Sequence, residues 1–327
     1  MQYLKFFKEL NKNSVNMAGG KGASLGEMIN SGIPVPDGFV VLASAFDKFL
    51  VETQLKEEIE ARLKEVNLED VNLVNKTSET IRDAIHDRPM PMELQTDILK
   101  QFDKLGADYV AVRSSATAED SAIASWAGEL ESYLNTTRDN VVDRVKECWS
   151  SLFTPRAIFY RHEKNLIDHY VSVAVVVQKM VQSKISGISF TVHPVTQDYN
   201  QMIIEAVFGL GEAIVGGLVT PDSYVIDKKE MSILDINIGE QTRQLVRTVE
   251  EKNKKIVEDE YRGNGWVKLG PEGAKQKLSG KEVLAVAEVC KKIEDHYGFP
   301  CDIEWAMDKK HDIYITQSRP ITTLLKS

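Results

Sequence analysis

The sequence predicts an α+β protein built in lobes. Two kinds of segment point there. Short apolar runs such as VSVAVVVQKMV at 171–181 and MIIEAVF at 202–208 read as buried strands. Charged, periodic stretches poor in glycine, over 45–105 and again after Ser279, read as helices. The two kinds alternate without a strict βαβ rhythm, which argues against a doubly wound parallel sheet. With 327 residues, the chain can form one large domain or two to three lobes.

Bulk properties exclude several classes. Forty basic and 49 acidic residues leave a net charge of −9. That argues against a nucleic-acid surface but not against a phosphate ligand, which needs only a few local cations. Cys148, Cys290 and Cys301 show no CxxC spacing, so a reduced, cytoplasmic protein is expected rather than a disulfide or zinc scaffold. The opening MQYLKFFKELNKN is charged and amphipathic, without a signal-peptide core. No apolar run reaches the roughly 20 residues that span a bilayer.

Taken in order, the elements are these. Gly19, Gly20 and Gly22 make a turn that leads into a short helix around Ala23–Ser31. IPVPDGFVV is a proline-punctuated turn and strand. Helices follow over 45–105, and DRPMP at 87–91 must interrupt one of them. Tyr109–Arg113 is a strand, 114–128 a polar loop, and Leu130–Leu134 another strand. Val141, Val145, Cys148, Trp149 and Leu152 recur at helical spacing. Strands at 171–181 and 202–208 come next, then the glycine-rich GLGEAIVGGLVTPDSYVI. Residues 228–278 carry little pattern and read as charged surface elements. Ser279 and Glu282 form a capping box, and the helix they open ends at Gly298. CDIEWAM, a turn and DIYITQSRPIT close the chain as paired strands.

Four places carry chemistry. GGKG at 19–22 lets backbone amides approach a phosphate while Lys21 supplies a charge; the alternative is a tight turn with an exposed lysine. It is no Walker A motif, because Val15 and Gly22 stand where Gly and Ser/Thr are required. Arg113, in AVRSSATAED, sits at the end of an apolar strand and needs an anionic partner: an internal carboxylate such as Glu119, or a ligand. The following hydroxyls complement an oxyanion, and SAIASWAG at 121–128 is either a lid over phosphates or a surface loop anchored by Trp126. The end of the strand at Gln178, Lys179 and Met180 either offers free backbone groups to an adenine edge or reaches solvent.

The C-terminal strands carry the fourth. Alternation puts Asp302 and Glu304 on one face of the first, and Gln317 and Arg319 on one face of the second. A four-residue hairpin loop at Lys309–Asp312 sets Glu304 opposite Gln317 and Asp302 opposite Arg319. Carboxylate and amide oxygens side by side suit Mg²⁺, and Arg319 can hold a transferred phosphoryl group. A one-residue slip destroys the arrangement, and a plain Asp302–Arg319 salt bridge is the alternative. Of six histidines, His193 in TVHPVT is the least ordinary, yet it is expected to be structural.

GGKGASLGEM, VPDGFVV, AVRSSATAED, SWAGELESYLN, SLFTPRAIFYR, FGLGEAIVGGLVTPD, DIEWAM and QSRP occur in this order. Together they resemble the nucleotide-binding domain of the phosphoenolpyruvate synthase and pyruvate phosphate dikinase family, which includes rifampicin phosphotransferase. The resemblance covers about 1–322. AVRSSATAED and SWAG are closer to the synthase and rifampicin branches; ISFTVHPVT and GLGEAIVGGLVTPD lean to the rifampicin side.

The resemblance implies an ATP-grasp fold, with an N-terminal lobe at 1–180, a helical insertion near 45–105, and a C-terminal lobe at 181–327 clamping Mg·ATP. It implies transfer of the ATP β-phosphate to a histidine on a separate swivelling domain, with AMP and phosphate as products, en route to an acceptor such as pyruvate. By motif, Lys21, Arg113 and Arg319 are catalytic, and Glu304 and Gln317 hold Mg²⁺. Ser114, Thr117, Gly128, Gln178, Lys179, Met180, Val181, Glu205 and Gln317 join Lys21, Arg113 and Arg319 at the nucleotide. The phosphohistidine and acceptor domains are expected to lie outside this chain: an excised domain, a truncated product or one half of a two-chain enzyme. A stand-alone, non-catalytic ATP-binding module and an acyl-phosphate ligase are the competing readings.

Overall fold

A computed structural model describes residues 2–117, 131–163, 172–248, 256–261, 264–322 and 324. It divides into two compact units, 1–27 with 37–180, and 28–36 with 181–327. The expected lobe boundary at 180/181 needs one correction: residues 28–36 sit with the second unit. Backbone and side-chain bonds hold them there. Ile315 N donates to Pro34 O at 2.8 Å, Lys292 Nζ donates to Gly32 O at 3.2 Å, and Ser31 Oγ meets His296 Nε2 at 3.1 Å.

The first unit contains β1 (Leu4–Phe6), most of α1 (Val15–Asn30), β2 (Gly38–Val41), α2 (Ala43–Glu52), α3 (Lys56–Lys64), α4 (Val71–Asp87) and α5 (Met92–Leu105). β3 (Val110–Ala116), β4 (Ser132–Thr136), α6 (Val141–Ser150), α7 (Pro155–Glu163) and β5 (Val173–Lys179) complete it. Its antiparallel sheet runs β1-β2-β5-β3-β4. Strand alternation sends Val110, Val112, Val173, Val175 and Val177 into one core with the helices, where Phe46 and Phe49 lie 5.4 and 5.1 Å from the Trp149 ring. DRPMP separates α4 from α5 as its prolines require. Lys146 Nζ satisfies the exposed end of α4, donating to His86 O and Arg88 O at 2.6 and 3.0 Å. The first helix differs from expectation: it starts at Val15, and Gly19 breaks it with φ +67° and ψ 172°.

The second unit contains β6 (Ile185–Phe190), β7 (Gln201–Phe208), α8 (Glu212–Val215), β8 (Asp222–Asp227), β9 (Ser232–Asn237), β10 (Arg243–Arg247), β11 (Ile256–Tyr261), β12 (Asn264–Lys268), α9 (Gly280–Tyr297), β13 (Cys301–Met307) and β14 (Ile313–Pro320). Six strands form the antiparallel order β14-β13-β6-β7-β8-β9, and three form β10-β12-β11. α9 has the expected ends. Ser279 N donates to Glu282 Oε2 at 2.7 Å, Glu282 N donates back to Ser279 Oγ, and Gly298 takes the left-handed cap. Residues 228–278 hold more strand than their composition announces. β9 is largely exposed, so it carries no apolar alternation to read.

Beneath this sheet, Asp222 and Lys277 form an ion pair with both side chains fully buried, at 2.8 Å. Asp222 also accepts from Tyr224 Oη, Gly239 N and Lys277 N. The three cysteines are free and buried, and burial pushes the Cys290 and Cys301 thiols up to about 12. Burial thus disfavours the thiolate form of Cys290 and Cys301.

Candidate functional site

In the first unit, Arg113 lies on the face of β3 opposite the helical core. Alternation puts Ala111, Arg113 and Ser115 together there, facing Gln178, Val176 and Ala174 of β5. The glycine turn of α1 lies against this face. A Cβ on Gly19 would come within 2.2 Å of Ser115 Oγ and 2.3 Å of Ser115 O, so only glycine fits. Lys21 follows two residues on. Ser115 Oγ donates to Ala18 O at 2.9 Å and accepts from Gly22 N at 3.3 Å.

Two hydroxyls expected beside Arg113 are placed elsewhere. Ser114 lies on the other face of β3, fully buried, with Oγ donating to Glu131 O at 2.9 Å. Thr117 Oγ1 donates to Ser172 O at 3.1 Å. At the end of β5 two backbone amides are already paired. Lys179 N and Met180 N are not free: they donate to Asp37 O and Tyr109 O at 2.8 and 3.0 Å. Gln178 shares the Arg113 face and is buried. Gly128, Glu119 and Trp126, with the loop at 121–128, lie outside the described residues.

In the second unit, α9 covers one face of the six-stranded sheet through Val283, Val286, Ala287, Cys290 and Ile293. The polar residues occupy the other face in two adjacent rows. One row reads Gln317, Glu304, Ile188, Glu205, Ser223 from β14 to β8. The next reads Arg319, Asp302, Phe190, Ile203, Val225. Glu304 is thus opposite Gln317, and Asp302 opposite Arg319, in the register expected from alternation.

The route to that register differs from expectation. Met307 pairs with Ile313, so the hairpin loop is Asp308–Asp312, one residue longer than expected. That slip alone would turn Gln317 and Arg319 to the α9 side. A bulge between Glu304 and Trp305 on one side and Gln317 and Ile315 on the other absorbs Thr316 and restores the pairing.

The electrostatics of this face are strained in one direction. Burial raises the Asp302 carboxyl above its ordinary value, opposed by the Arg319 guanidinium. Burial also raises Glu205. Arg319 Nε and Nη2 both donate to Asp302 Oδ2, at 2.9 and 2.7 Å. The salt bridge read as the alternative is therefore formed, yet the Arg319 side chain stays 44% exposed. His193 braces a local turn: Val195 N and Thr196 N donate to its Nδ1 at 3.3 and 3.2 Å.

Ser115 is not among the residues that the motifs single out. The signal that finds it is strand alternation, which puts Ser115, and not Ser114, on the Arg113 face.

The family model of the pyruvate phosphate dikinase AMP/ATP-binding domain matches residues 15–327. The chain belongs to this family. As a member of the pyruvate phosphate dikinase AMP/ATP-binding family, it is an α+β protein of the ATP-grasp class. It is 48% identical over 325 residues to a probable phosphoenolpyruvate synthase of Archaeoglobus fulgidus, covering 97% of this chain and 41% of that protein. It is 43% identical over 331 residues to one of Methanothermobacter thermautotrophicus, covering 99% and 46%. The chain thus spans less than half the length of these curated relatives. Among solved structures, D-alanyl-alanine synthetase A from Vibrio cholerae superposes with TM-score 0.28 at 11% identity, over 75% of this chain and 54% of that one. So loose a superposition adds nothing to the family match.

Proposed function

We propose that this chain is the ATP-binding half of a dikinase-type phosphotransferase, passing the ATP β-phosphate to a histidine on a separate domain and leaving AMP and phosphate. The observation that carries this is the pair of polar rows on the face of the six-stranded sheet opposite α9. They set an arginine, an amide and two carboxylates on neighbouring strands, with Glu205 on the same face beyond Ile188, within a family described as AMP/ATP-binding.

Each residue has a part that its chemistry allows. Lys21 supplies a compact charge and Arg113 a planar fork, both suited to phosphate oxygens. Arg319, held by Asp302, stabilises charge on the transferred group without needing to be oriented at the moment of reaction. Gln178 and Val181 border the base.

Magnesium fits the donor set as a guest of the nucleotide. Among the described residues no cluster of three or more His, Cys, Asp or Glu could cage a metal alone. Glu304 and Gln317 instead offer two oxygens on neighbouring strands, which suits an ion that keeps waters and shares phosphates. When bound, that ion neutralises phosphate charge. A protein histidine is the acceptor, in keeping with relatives named phosphoenolpyruvate synthase that extend well beyond this chain.

Calorimetric titration with a non-hydrolysable ATP analogue, with and without Mg²⁺, tests the reading. Magnesium-dependent binding that weakens at least tenfold in Glu304→Ala is expected. Absence of binding at millimolar analogue overturns it. Binding without labelling of a supplied phosphohistidine domain leaves a non-catalytic ATP-binding module instead.

A further inference from the structure

The kink in α1 has a specific cause. In an unbroken helix Gly22 N would donate to Ala18 O, four residues back. Ser115 Oγ bonds both of these groups, donating to Ala18 O at 2.9 Å and accepting from Gly22 N at 3.3 Å. A side chain inserted into the helical ladder is a recognised origin of a sharp kink. Gly19 supplies the backbone conformation this insertion demands. Ser115 itself is fully buried on β3, two residues from Arg113 and on the same face.

One hydroxyl therefore couples two pieces of chain far apart in sequence. Without it, Ala18 O and Gly22 N lose their tie to β3, and the peptides at Gly19–Lys21 are released from it. While it is present, moving the turn away from β3 strands a buried hydroxyl, which opposes the movement.

We propose that Ser115 is a positioning residue for the triphosphate. By bonding Ala18 O and Gly22 N it ties the Gly19–Gly22 turn, and with it Lys21, in a set relation to Arg113. This rests on the reading that Lys21 and Arg113 bind nucleotide phosphates.

The test is calorimetry on the whole chain with two probes, a non-hydrolysable ATP analogue and adenosine, in wild type, Ser115→Ala, Lys21→Ala and the double variant. Thermal unfolding of each is measured alongside. Ser115→Ala is expected to weaken the ATP analogue about tenfold while leaving adenosine affinity within twofold. Because Ser115 acts through the turn that carries Lys21, the double variant should lose little beyond Lys21→Ala. A merely structural serine predicts equal losses for both probes, or losses that multiply in the double variant; either result overturns the proposal. So does wild-type affinity in a folded Ser115→Ala. Should Ser115→Ala fail to fold, Ser115→Cys keeps most of the volume with a weaker donor and is expected to show an intermediate, analogue-specific loss; no such loss overturns the proposal too. If wild type binds no analogue, the phosphate reading itself has failed, an outcome distinct from the rest.

Discussion

Replacing Gly19 with alanine probes the junction of α1 and β3 directly. Two penalties add there. Gly19 has φ +67° and ψ 172°, a region that residues with a Cβ enter at about 1–3 kcal/mol. Its new methyl would also stand 2.2 Å from Ser115 Oγ and 2.3 Å from Ser115 O, the second a backbone atom in the middle of the sheet. Relieving such overlap costs a further ~1–3 kcal/mol. Straightening the helix would return at most about 1 kcal/mol of helix propensity and would break both bonds to Ser115. The net loss is about 3 kcal/mol, roughly 6–12 °C in melting temperature for a unit of this size. Gly106 is the control. It has φ +62°, yet a Cβ there meets nothing within 4 Å, so Gly106→Ala pays only the backbone term, about 1 kcal/mol. Thermal unfolding of the two variants, with calorimetry of the ATP analogue, gives the comparison. The reasoning is refuted if Gly19→Ala unfolds no earlier than Gly106→Ala, because the clash with β3 would then have no energetic content.

Asp222→Ala should destabilise the chain by about 3–5 kcal/mol in urea unfolding, since it leaves the Lys277 ammonium buried without its carboxylate; adding Lys277→Met should recover part of that loss. Glu205 has its carboxyl raised by burial above the ordinary 4.5, so its ionised form opposes folding above its folded-state value and not below 4.5. Glu205→Gln should therefore raise the melting temperature at pH 7–8, and the gain should shrink to nothing as pH falls towards 4.5. Arg319→Ala should leave analogue binding within a few-fold and abolish labelling of a phosphohistidine domain. A large drop in melting temperature would instead mark the Asp302 contact as mainly structural.

Much of this protein was legible without coordinates because the governing interactions are local. The α9 capping box, its glycine end and the DRPMP break depend on residues three or four apart, and backbone sterics settle them. The face shared by Asp302 with Glu304 follows from strand geometry alone. The register of β14 shows where locality ends. A four-residue loop without a bulge and a five-residue loop with one give the same pairing of Glu304 with Gln317, and only tertiary packing chose between them. Long-range bonds decided the rest. Residues 28–36 join the second unit through Pro34, Gly32 and Ser31, whose partners lie about 260 to 280 residues away, and no periodicity records such contacts. Ser115 is the sharpest case. In sequence it is one of two adjacent serines with the same chemistry as Ser114. The pleat of β3 sends one hydroxyl to Glu131 and the other into a helix that precedes it by nearly a hundred residues. Composition and spacing determined that a strand arginine, a glycine turn and a carboxylate hairpin exist; which hydroxyl holds the turn was decided by the face of the sheet on which α1 lies.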